Sequence, residues 1–128
     1  MEQGSEPLVV VLNGAPQLHY DRGKALSAGQ YAGLKRMDAT MDAGIRLDDR
    51  WIARPDADAR ARFVAFQLVD ALQRDDAGLC AACCSYLAQR LPQLRQIKAQ
   101  AAEQTVAVEL VFDKPYVREA PVDFVPRR

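Results

Sequence analysis

The chain is poor in the residues from which most active sites are built. It has one histidine, His19, one asparagine, Asn13, and three serines, Ser5, Ser27 and Ser85. A hydrolase triad would have to form around His19. Ser5 lies in a polar N-terminal tail, Ser27 is placed to cap a helix, and Ser85 falls within one. No G-x-S-x-G, phosphate-binding P-loop or G-x-G-x-x-G occurs. No catalytic residue, metal ligand or cofactor site is therefore predicted, and the expectation leans away from an enzyme.

Charge of one sign is missing as well. Seventeen basic residues balance seventeen acidic ones, so no net field draws the chain to phosphates or anionic lipid. Nucleic acid and membrane surfaces are not expected partners. The longest apolar run, LVVVL, is too short to cross a bilayer. The start, MEQGSEP, has neither the basic nor the apolar segment of a signal peptide. Three cysteines form no even-numbered framework, which suits a reducing compartment. The expected location is cytoplasmic.

What remains is a chain of 128 residues, long enough to bury roughly two-thirds of its unfolded surface without disulfides or metal. Its hydropathy pattern predicts one α+β domain with a small, mostly antiparallel sheet. Strands are expected near 8–12, 17–21, 94–99 and 105–112, packed with helices near 28–43, 56–74 and 76–91. Asn13-Gly14 supplies a tight turn between the first two strands. Ser27 and Gln30 form a capping box, and Gly44 takes the left-handed position that ends the first helix. IRLDDRWI (45–52) reads as a miniature hairpin turning on Asp48-Asp49. Residues 1–6 are expected to be a flexible tail. Residues 113–128, with prolines at 115, 121 and 126, are expected to be extended, strapped along the body or free for a partner.

GLCAACCSYLAQRLP (78–92) carries every cysteine. On a helix, Cys80, Cys83 and Cys84 fall on one side and Leu87 and Leu91 continue the line, with Ser85 and Gln89 opposite. Buried free cysteine behaves as a small hydrophobe, so the simplest reading is core packing. The alternative is a thiol-based metal or redox protein. Zinc would need four ligands where the chain offers three thiols and one imidazole, and Cys80-x-x-Cys83 lacks a thioredoxin-like context.

Two other features invite function. Asp38 projects into the apolar stripe of the first helix, Leu34, Met41 and Ile45, with Asp42 at its border. A buried carboxylate needs a partner, so Asp38 either receives an arginine or lines a cleft. The functional form of this reading is a small-ligand or ion site around Asp38, Asp42, His19 and Tyr20. On the second helix, Phe63 and Phe66 project away from the core line Val64, Ala65, Leu68 and Leu72. They suggest a second packed surface, with Arg60 and Arg62 at its rim. The leading expectation is a non-catalytic accessory, assembly or regulatory protein. It would act through contacts with a protein partner or with itself as a homodimer.

Overall fold

The structure, a computed structural model, describes residues 7–113. The expected tails, 1–6 and all but the first residue of 113–128, lie outside the described residues.

Strand β1 (Leu8–Leu12) is the apolar run, and its place in the sheet explains why it needs no polar alternation. It pairs antiparallel with β2 (Ala15–Tyr20) on one side and parallel with β5 (Gln96–Ala101) on the other. The β1–β2 turn is Asn13-Gly14 with φ of +52° and +83°, the left-handed pair that such hairpins require. The Asn13 amide side chain also pairs with the Ala101 backbone, accepting at 2.8 Å and donating at 3.3 Å. Strand β2 begins two residues before the expected 17–21, so Pro16 sits inside it. That is tolerated because β2 is an edge strand and its register slips between Val10 and Val11.

Helix α1 (Ala28–Asp42) begins with the reciprocal capping box: Ser27 Oγ accepts from the Gln30 amide at 3.1 Å, and Gln30 Oε1 from the Ser27 amide at 2.7 Å. Gly44, at φ +113°, turns the chain into β3 (Ile45–Leu47) and β4 (Arg50–Ile52). These form the small hairpin, with Asp48 and Asp49 both at positive φ. Helices α2 (Ala57–Gln73) and α3 (Ala77–Arg90) are capped by the carboxylates of Asp56 and Asp76.

Strand β5 starts two residues later than expected, because Leu94 still belongs to the turn after α3 and donates to the Leu91 carbonyl at 3.0 Å. Strand β6 (Val106–Val111) completes a four-stranded sheet in the order β2-β1-β5-β6. Two of its three pairings are antiparallel, and the parallel one is possible because the whole helical region forms the crossover.

Strand register sorts the sheet into two faces. Leu8, Val10, Leu18, Tyr20, Ile97, Val108 and Leu110 share one face, and all of them join the core with residues of the three helices. Val9, Val11, His19, Gln96, Lys98, Glu109 and Val111 occupy the other.

Candidate functional site

Asp38 is a half-buried carboxylate with every acceptor direction used. Tyr86 Oη donates to its Oδ1 at 2.6 Å, and Arg60 Nη1 donates to the same oxygen at 3.3 Å. Arg90 donates to Oδ2 through Nε at 3.2 Å and Nη2 at 2.8 Å. Tyr86 and Arg90 are four residues apart on α3 and so present to the same side, with the Arg90 guanidinium 5.3 Å from the Tyr86 ring centre. Arg60 comes from α2, where it also bonds the Asp38 and Pro55 carbonyls. Its other terminal nitrogen holds Asp42 at 2.6 Å.

Burial alone would raise the Asp38 pKa. The bonds from Tyr86 and Arg90 and the charges of Arg90 and Arg60 outweigh it and hold the carboxyl below its ordinary value. Burial, with the bond to Asp38, pushes the Tyr86 phenol up to about 12. The group is a helix-joining ion cluster. Arg60, read from the sequence as a rim residue, turns inward instead. Sequence reasoning required a partner for Asp38 but did not find Tyr86 and Arg90, since their i, i+4 spacing puts them together on α3 and says nothing about α1.

The structure brings Asp38 and Asp42 together but places His19 and Tyr20 elsewhere. These two lie on β2 and line a largely apolar cavity of about 340 Å³ with Leu18, Leu72, Cys80 and Cys84. Tyr20 Oη and Ser85 Oγ are 3.0 Å apart. Ser85, expected on the outer side of α3, is in fact buried, and this bond accounts for the hydroxyl there. Among the described residues, no group of three or more His, Cys, Asp or Glu side chains is placed to hold a metal ion.

The three cysteines are buried in the core cluster. Burial, reinforced by the neighbouring thiols, pushes Cys83 and Cys84 up to about 12, and burial with nearby Asp76 and Asp75 also raises Cys80. A thiol is nucleophilic and metal-binding only as thiolate, so this environment suppresses both chemistries.

Phe63 and Phe66 are half-buried rather than outward. They form the floor of a cleft of about 410 Å³ between α2, the β3–β4 turn and the start of β6, bordered by Leu47, Asp48, Asp49, Asp70 and Val106. Arg46 also borders it, and the cross-strand partner of Arg46 is Trp51. The only tryptophan of the chain is 60% exposed, and Val106 is 37% exposed. The Trp51 ring lies over Gly44, where an added Cβ would come within 2.2 Å of it. The sequence reading passed over this residue, since a three-residue strand gives no reliable face. The chain matches no protein-family model, no curated protein and no solved structure with which it was compared.

Proposed function

We propose that the protein is a non-catalytic interaction protein that binds a protein partner through the Phe63/Phe66 cleft and the adjoining Trp51. The observation carrying this reading is a cleft floored by Phe63 and Phe66 and bordered by a hairpin that presents a largely exposed tryptophan packed over Gly44. Tryptophan is among the side chains that most often anchor interfaces. The rim gives the partner its chemistry. Asp48 and Asp49 stand on a turn whose geometry favours Asn-Gly, while Asp70 is already paired with Arg74 at 3.0 Å. The complementary segment carries an apolar or aromatic side chain beside a lysine or arginine. Enclosed thiols and an internally satisfied Asp38 support a role without catalysis, and free cysteines are compatible with a reducing, cytoplasmic setting.

The test is affinity capture from the native host with wild type, Trp51→Ala, Phe66→Ser and, as a remote control, Tyr31→Ala. A partner retained by wild type and Tyr31→Ala, lost from both cleft variants and weakened by salt supports the reading. Equal retention by all four proteins rejects it. If the species lost from the cleft variants is a second copy of the chain, as sedimentation would show, the partner is the protein itself.

A further inference from the structure

The cavity between β2, the α2–α3 connection and α3 shares no described residue with the Phe63/Phe66 cleft. Its volume of about 340 Å³ is at the small end of ligand pockets, roughly 300–1,000 Å³, and suits one compact ring system. Leu18, Tyr20 and Leu72 line it, half-buried, together with the buried Cys80 and Cys84 of α3. The Tyr20 hydroxyl, 3.0 Å from Ser85 Oγ, ties the phenol to α3. Sulfur is polarizable and packs favourably against aromatic rings, and a tyrosine ring shares that preference. Burial disfavours the thiolate of both cysteines, so this wall offers contact and no covalent chemistry. Ala77 and Ala81, exposed and one helical turn apart on α3, line the same cavity. Larger side chains there would fill it.

The charge at this cavity has one sign. Asp75, which is exposed, is the one carboxylate among the described lining residues. Its φ of +58° is the left-handed position after a helix end, where glycine is the usual residue. Two backbone bonds fix it there: the Asp75 amide to the Leu72 carbonyl at 3.2 Å, and the Asp76 amide to the Ala71 carbonyl at 2.9 Å. After burial, the charges of Asp76 and Asp75 are what raise the Cys80 thiol, so their field reaches the cavity wall. Asp76 is occupied with the Leu79 amide as the cap of α3. His19 also lines the cavity and is not free. An anion is repelled here and a cation attracted. We propose that this cavity binds a small aromatic amine, its ring against Tyr20 and the cysteines and its ammonium group toward Asp75. Binding here is a small-molecule function separate from the partner surface, and it does not depend on that surface.

Three probes of matched shape and different charge test this on the full chain: tryptamine, tryptophol and indole-3-propionate. Amide chemical shifts followed by NMR report both the place and the affinity of binding. Tryptamine should shift the amides of residues 18–20 and 75–84 saturably. It should bind about two- to five-fold tighter than neutral tryptophol, the range of an exposed ion pair. Indole-3-propionate should bind more weakly than either. Asp75→Asn keeps a side chain suited to positive φ and should lower tryptamine to the tryptophol affinity. Ala77→Leu combined with Ala81→Leu places good helix formers in the cavity and should weaken tryptamine about ten-fold or more. The proposal fails if no probe gives saturable shifts at millimolar concentration, or if the shifts fall elsewhere. It also fails if tryptophol or the propionate matches tryptamine, or if tryptamine binds Asp75→Asn or the folded leucine double variant as it binds wild type.

Discussion

Tyr86 Oη donates to Asp38 Oδ1 across 2.6 Å, tying α3 to α1 at the point where Arg60 arrives from α2. One carboxylate thereby fixes the relative positions of three helices. Asp38→Ala leaves the buried Tyr86 phenol and the Arg90 guanidinium without this acceptor, while Arg60 keeps Asp42, at an expected cost of about 2–4 kcal/mol. Asp38→Asn retains an acceptor and loses the charge, so it should cost less, about 1–2 kcal/mol. Denaturant unfolding of both variants measures the difference. Equal stabilities for Asp38→Ala and wild type would mean that the cluster is mere surface decoration.

The same pair gives stability two pH limbs of opposite sign. The folded Asp38 pKa lies below its unfolded value. Its contribution is therefore complete above about pH 4 and is lost as pH falls through the folded value. Tyr86 is a phenol raised to about 12. Its contribution is complete below about pH 10 and is lost as pH rises from there toward the folded value. Asp38→Asn should shrink the acid limb and Tyr86→Phe the alkaline one, as read by unfolding midpoints across pH. Unchanged limbs in both variants would show that other groups govern the titration.

Gly44 meets two demands, and they can be separated. Its φ of +113° disfavours any side chain, and an added Cβ would lie 2.2 Å from the Trp51 ring. Gly44→Ala should therefore cost well over the roughly 1–2 kcal/mol of backbone strain alone. In a Trp51→Ala background the steric part disappears, and the same substitution should cost only the strain. A double-mutant cycle reads the coupling. Additive effects would mean that the indole leaves Gly44 freely.

Elements were legible in the sequence wherever a local rule decided them. Ser27 with Gln30, Asn13 with Gly14, and Asp48 with Asp49 each specify a backbone geometry within four residues, and each stands where it was expected. The periodicity that set the cysteines inward held for the same reason. Contacts between distant elements were not legible. Asp38 announced a need for a partner, yet Tyr86 and Arg90 lie 48 and 52 positions away, and nothing local selects them. Phe63 and Phe66 looked outward because a helical wheel knows only its own helix. The β3–β4 turn and Val106 half-cover them from regions that the wheel does not contain. Trp51 escaped because a strand of three residues, Arg50–Ile52, gives no reliable face.

Cys83 and Cys84 should behave as core methyl-sized groups with almost no thiolate at neutral pH. With pKa values near 12, labelling of native protein at pH 8 should be far slower than that of a free thiol, and denaturant should release all three cysteines together. Cys83→Ala or Cys84→Ala should cost about 1–2 kcal/mol through lost packing, without abolishing partner binding. Rapid native labelling at either position would restore the thiol-based alternative.

Arg22 is the least obvious stabilising residue, since it sits in the connection between β2 and α1. Its guanidinium donates to the carbonyls of Leu91 at 2.9 Å and Pro92 at 3.1 Å, and also to Leu94 and Ala88. It thus supplies donors to carbonyls at the end of α3 and in the turn into β5, where the Leu91 carbonyl also accepts from the Leu94 amide. Arg22→Ala should cost about 2–3 kcal/mol, the range for hydrogen bonds to a charged group left unmade. Arg22→Lys should recover only part of that, because a single ammonium cannot spread across carbonyls that the planar fork reaches together. Amide exchange sharpens the test. The Leu91 amide bonds to the Leu87 carbonyl and the Leu94 amide to the Leu91 carbonyl, so both should exchange faster in Arg22→Ala than the fall in global stability requires. Full rescue by lysine would show that charge alone matters there, and that the fork geometry contributes nothing.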